Sequence, residues 1–288
     1  MRALWENPLL QYHLLGATRH RWKRQPWLYW AATLGTGLMY LLALQTAVNY
    51  RPGIDAALWF SLFVMCLAAP LMAYNLFSLE YEKQTWESLA LTRLTAPEIF
   101  WGKWGAALAR VAVLTLLLAP FLFLSGVGNW YATTAAFVVL FGWGALLASL
   151  GVWLSFKLKR TLTTASALYA GQVFVLLLFP MLYLILGEGT LPRELISTVQ
   201  SYKDAYYTWI ICVFNGALII YLNPFYVALE MEHFRWISGW WWMGHSGDAY
   251  HQGLRYMLWG FMQGGIYLGS ALLFAGFTYR GIKISWRK

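Results

Sequence analysis

The sequence predicts an all-α integral membrane protein. Of its 288 residues 60% are hydrophobic and only 11% charged, the mean hydropathy is +0.51, and there are 18 tryptophans. So little polar surface cannot cover a water-soluble globule. Apolar runs of the roughly 17 to 25 residues needed to cross ~30 Å of hydrocarbon recur along the whole length.

The elements follow in order. The basic segment 1–26 contains Asn7-Pro8, an N-capping residue followed by a proline suited to the first helical position, so an amphipathic interface helix is expected before the first span. The first apolar run is too long for a signal-peptide core and ends in no small-x-small cleavage site, so it stays as a span. Six spans are expected, at 27–48, 56–79, 104–125, 131–156, 163–186 and 254–279. A further run, 207–222, would reach only about 24 Å as a helix rising ~1.5 Å per residue. It is expected to be re-entrant or interfacial within an outer segment, 187–253. Cys66 and Cys212 lie inside apolar runs, where a disulfide framework has no purpose. A single transmembrane domain, 1–288, is expected.

Charge sets the orientation. Most of the 21 basic residues fall in alternate loops: Arg2, Arg19, Arg21, Lys23 and Arg24, then Lys83, Arg93 and Lys103, then Lys157, Lys159 and Arg160, and finally Arg280, Lys283, Arg287 and Lys288. The other loops hold Arg51, Arg193, Lys203, Arg235 and Arg255, and Arg110 lies within the third span. By the positive-inside tendency both termini are cytoplasmic. Six crossings satisfy this and seven do not. The net charge of +9 is thus topogenic, and no nucleic-acid partner is expected.

Between the second and third spans the chain reads EYEKQTWESLALTRLTAPEIFWGK from Glu80 to Lys103, with seven charges in an otherwise apolar region. Tyr81 to Leu94 can form one short amphipathic helix, with Thr85, Leu89 and Thr92 on one face and Glu87, Leu91 and Leu94 on an adjoining stripe. A new helix is expected at Thr95-Ala96-Pro97-Glu98, where Thr95 and Glu98 have capping-box spacing and Pro97 is tolerated in the first turn.

The run Glu82, Thr85, Glu87, Leu89, Thr92, Leu94, Thr95, Glu98, Ile99, Gly102, Lys103 resembles the first cytoplasmic loop of permeases of the ABC transporter type 2 export family, which typically read GTxExLLxTPLSxxEIxxGK there. Gln84 stands where a glycine is usual and Arg93 where a proline is usual. Asn7-Pro8 is similar to the family's NPxxxxE start, and Asn223-Pro224-Phe225-Tyr226 to its NPFxAL segment. The resemblance implies that the loop is a coupling helix docking on a cytoplasmic ATPase, with Glu82, Thr85, Glu87, Leu89, Leu91, Thr92 and Leu94 as the docking residues. Thr161, in the other short inner loop, is the comparison position, with a milder effect expected.

The same resemblance implies a non-catalytic permease subunit in a bacterial cytoplasmic (inner) membrane. It would work with two copies of an ABC ATPase and a second permease copy, as homodimer or related heterodimer, surrounded by lipid. Export by alternating access is the function implied. No cofactor is expected on this chain, since it lacks a phosphate-binding loop and ATP with Mg would sit on the ATPase.

An alternative is a mechanotransmission or assembly subunit that moves an outer partner protein and no solute. A second is an unrelated polytopic enzyme or channel, against which stands the lack of carboxylates paired at catalytic spacing in the loops, Glu230 and Glu232 apart. His233, His245 and His251 with Met231 and Met243 gather in the outer segment, yet their spacing matches no ligand pattern and interfacial placement is the better reading. Arg110 is expected to snorkel or to pair with an acidic residue. Gln45, Asn75, Gln172, Asn215 and Gln263 fit interhelical hydrogen bonding or a translocation path equally.

Overall fold

The computed structural model describes residues 8–12, 26–50, 53–91, 94–125, 130–178, 223–224 and 249–285. Among the described residues the regular structure is entirely helical. They fall into two compact units, one drawn from Met1–Leu168 and His245–Lys288, the other from Tyr169–Gly244.

The first unit contains α1 (Pro8–Gln11), α2 (Pro26–Tyr50), α3 (Ile54–Ala73), α4 (Ser78–Glu82), α5 (Trp86–Ala90), α6 (Ala96–Ser125), α7 (Trp130–Leu158), most of α8 (Thr161–Val173) and α9 (Ala249–Ser285). Four stretches are long and apolar enough to cross a membrane: Ala56–Glu82, Ala96–Ser125, Trp130–Leu158 and Gly260–Ser285. They cover the expected second, third and fourth spans and overlap the expected sixth, which the apolar stretch enters six residues later. The chain has the character of an all-helical membrane protein. The α2 helix covers the first expected span over 25 residues without a charged side chain.

The α7 helix is the centre, packing against α3, α6 and α9. Its small residues make this possible. A Cβ placed on Gly144 would meet Met65 Sδ and Val111 Cγ1 at 2.7 Å, and one on Gly142 would meet the Gly264 carbonyl at 3.0 Å. The α9 helix answers with Gly260-x-x-x-Gly264, whose added Cβ atoms would come within 2.5 Å of Ala135 Cβ and 2.4 Å of Val138 Cγ1. Close backbone approach is the main source of helix association where lipid is as apolar as the side chains.

The α2 helix stands to one side. The Tyr40 hydroxyl donates to the Leu117 carbonyl at 2.8 Å and its ring meets Phe121 edge-on, while Trp27, Leu34, Leu38 and Leu41 are exposed. Such an apolar outer surface suits lipid. At the amino end α1 begins at Pro8, as the Asn7-Pro8 signal anticipates, and Leu10 is buried beside Gly105 of α6.

In the second unit α8 ends and passes into a π-helical turn, Phe174–Leu178. The Asn223 side chain donates to the Leu176 carbonyl at 3.3 Å, giving the Asn-Pro pair an anchoring role. Most of the outer segment 187–253, including the 207–222 run, lies outside the described residues, as does Asn215.

Candidate functional site

The predicted second span is not one continuous helix. The α3 ladder stops at Ala73, and Tyr74–Phe77 form turns in which Leu76 N–H bonds Ala73 O and Glu80 N–H bonds Phe77 O. These shorter bonds leave the Met72 and Leu76 carbonyls without helical donors and leave the Phe77 and Ser78 N–H groups without helical acceptors. A broken helix within an apolar stretch is tolerable only if neighbours satisfy the freed groups.

They do so. Arg110 Nη1 of α6 donates to Met72 O at 3.0 Å, and the Lys103 ammonium, two turns earlier on α6, donates to Leu76 O. From α7, Ser155 Oγ accepts both Phe77 N–H at 2.9 Å and Ser78 N–H at 2.8 Å, while the Ser78 hydroxyl returns to Tyr74 O at 2.8 Å. Lys103 also pairs with the Glu80 carboxylate and lies 4.6 Å over the Phe77 ring. Fully buried, it is part of the joint, and Arg110 reaches a backbone carbonyl of the broken helix.

Beyond the break the expected single helix 81–94 is instead two short ones, α4 and α5. The division is at Gln84, whose backbone is left-handed at φ 56°. Thr85 N–H bonds Glu80 O at 2.9 Å and Gln84 N–H bonds Tyr81 O at 3.2 Å. This 6→1 and 5→2 pair is a Schellman turn, which ends a helix on a left-handed residue and favours glycine there. Amphipathic spacing cannot reveal such a stop, but Gln84, which stands where glycine is usual in the loops this run resembles, is the residue that carries it. The turn back from α7 to α8 uses a second left-handed residue, Lys159, at φ 58°.

Four rings hold the two short helices against the end of α7. Trp86 stacks on Tyr81 at 5.1 Å, and Phe156 meets Phe77, Tyr81 and Trp86 at 5.6, 6.3 and 6.2 Å. Lys159 Nζ sits 5.1 Å over the Tyr81 ring. Each such ring pair contributes roughly 0.5 to 1.5 kcal/mol beyond its area burial. The Glu82 carboxylate adds a cross-link to α8, accepting Thr161 N–H at 2.7 Å and the Thr161 hydroxyl at 2.9 Å.

The residues implied as docking positions therefore divide. Glu82, though exposed, is engaged within the chain by Thr161, so Thr161 is no independent comparison position. Thr85 holds the Schellman turn and its hydroxyl reaches toward Glu80 O at 3.4 Å. Leu89 and Leu94 are half-buried. Glu87 is exposed in the first turn of α5, and Leu91, just past its end, is 88% exposed. Thr92, like Arg93, lies outside the described residues.

The second half of the run is built inward. Glu98 accepts Thr95 N–H at 2.8 Å, half of the expected capping box, while the Thr95 hydroxyl donates to the same carboxylate oxygen at 2.9 Å. Ile99, Gly102 and Lys103 are buried. The helix started by Thr95 and the expected third span are one continuous helix of 30 residues. Ser155 and Phe156 were not singled out by the sequence, and Thr161 only as a comparison position, because contacts 77 to 79 residues apart leave no local pattern.

Of the weaker signals, Gln263 donates to the Tyr267 hydroxyl one turn along α9 at 2.7 Å, Asn75 is half-buried and Gln45 is exposed. Met231, His233, Met243 and His245 lie outside the described residues, and His251 falls on α9.

No protein-family model matches the chain, and no curated protein matches it.

Proposed function

We propose that this chain is the membrane-spanning permease subunit of an ABC transporter, exporting a substrate by alternating access under the drive of a separate ATPase. In this reading α4 and α5 form the coupling element. Glu87 and Leu91 enter the ATPase cleft, Leu89 and Leu94 support them, and Glu82 and Thr85 hold the element's shape. Six crossings, cytoplasmic termini in a bacterial inner membrane, a second permease copy and two ATPase copies belong to the same reading.

The observation that carries it is the exposure of Glu87 and Leu91 on a segment otherwise tied down by rings, Glu82 and Lys103. A solvated topogenic loop has no need of such fixing. An exposed leucine beside a carboxylate on a rigid mount has the features of an interface anchor and its polar rim. The test is purification of the tagged full chain from its native membrane in mild detergent. The reading expects a stoichiometric ATP-hydrolysing partner, two of each subunit, with no hydrolysis by the permease alone. A chain that purifies without such a partner, or hydrolyses ATP itself, rules the reading out.

A further inference from the structure

The break at Tyr74–Phe77 separates two sets of attachments. On the α3 side, Met72 O is held by Arg110. Past the break, Leu76 O and Glu80 are held by Lys103, Phe77 and Ser78 N–H by Ser155, three rings by Phe156, and Glu82 by Thr161. The covalent link to α3 runs only through four turn residues, and the first helical bond after it, Leu79 N–H to Asn75 O, is long at 3.4 Å. Nearly every side-chain contact of α4 and α5 named here is therefore with α6, α7 or α8 rather than with the helix they follow in sequence.

We propose that Ser155 and Glu82 are positioning residues that lock α4 and α5 to the α7–α8 turn, so that the segment moves with that turn and pivots relative to α3 at Tyr74–Phe77. Ser155 does this by substituting for the missing turn of helix. Its single oxygen takes two N–H groups that α3 would otherwise bind, which moves the attachment of the segment from α3 to α7. Lys103 and Arg110, two turns apart on α6, hold the two sides of the pivot. The consequence for transport, that force received at Glu87 and Leu91 reaches α7 and α8 before α3, rests on the proposed ATPase docking. The mechanical statement does not.

Spin-label distance distributions on the full chain in lipid nanodiscs test it without the ATPase, so failure of the docking reading leaves this result standing. In a Cys66→Ala, Cys212→Ala background, one label pair is Ser88→Cys with Leu162→Cys, within the locked body, and the other is Ser88→Cys with Leu71→Cys, across the pivot. Leu162 and Leu71 are 78% and 56% exposed, so neither label displaces packing. The 88–162 pair should give the narrower distribution. Ser155→Ala and Glu82→Ala should each widen it about twofold, with Ser155→Thr restoring the parent width. Should Ser155→Ala fail to fold, Glu82→Ala, at an exposed position, decides alone. An 88–162 distribution as broad as the 88–71 one, or unchanged by Glu82→Ala, overturns the proposal.

Discussion

The Glu82 carboxylate accepts both the backbone N–H and the hydroxyl of Thr161, joining the end of α4 to the first residue of α8 across 79 positions of sequence. A carboxylate at a helix amino terminus satisfies a donor that the helix cannot use and complements the positive end of its dipole. A double-mutant cycle of Glu82→Ala and Thr161→Val, read by thermal or denaturant unfolding in detergent, should give a coupling of about 1 kcal/mol. Additive losses would mean that the two side chains do not work as a pair.

Gln84 occupies a backbone region that costs an L-residue about 1 to 2 kcal/mol, and glycine avoids this at the expense of roughly 0.5 to 1 kcal/mol of extra unfolded-state freedom. Gln84→Gly should therefore raise stability by about 0.5 to 1 kcal/mol, seen as an upward shift in Tm. Lys159→Gly should gain less, because it also removes the ammonium over Tyr81. A Tm lowered by Gln84→Gly would contradict the left-handed turn.

The α7–α9 seam should reject added methyl groups where it is closed and accept them where it is open. Gly260→Ala and Gly264→Ala place a Cβ within 2.6 Å of neighbouring atoms, whereas nothing lies within 4 Å of one added at Gly269. Overpacking costs on the order of 1 to 3 kcal/mol. The first two variants should unfold at lower temperature than the parent, and Gly269→Ala should unfold with it or above it. Equal behaviour of all three would show that the seam is not closely packed.

Much of this was legible in the sequence. Length and hydropathy placed the four long apolar stretches to within a few residues at most of their ends, because a bilayer demands both together. Thr95 and Glu98 announced the start of α6 by local spacing, and Pro8 that of α1. Gly260-x-x-x-Gly264 is readable in the sequence as a packing motif. The break after Ala73 could not be read, since Tyr74, Asn75, Leu76 and Phe77 suit a helix and only Ser155, Lys103 and Arg110 make an interruption tolerable. The motif run likewise concealed that Glu82 is engaged by Thr161 and Lys103 is buried, while Glu87 and Leu91 are exposed.

The proposed six crossings place 187–253 outside. Single cysteines at Ser201 and Ser246, in a chain lacking Cys66 and Cys212, should both react with a membrane-impermeant reagent added to whole cells whose outer barrier is permeabilised. Reaction of the Ser246 position only after the inner membrane is opened would require 207–222 to cross.

The most direct measurement concerns Glu87 and Leu91. Truncating residues near the centre of an interface costs on the order of 1 to 4 kcal/mol, against under ~0.5 kcal/mol for solvated positions. On the proposed function, Glu87→Ala combined with Leu91→Ala should leave membrane abundance near that of the parent but sharply reduce co-purification of the proposed ATPase and abolish the proposed transport activity. Leu162→Ala, on a residue 78% exposed in the first turn of α8, should change neither. If the double variant retains its ATPase at the parent's stoichiometry and supports the same activity, the exposed end of α5 is not a docking surface, and the permease reading loses its principal support.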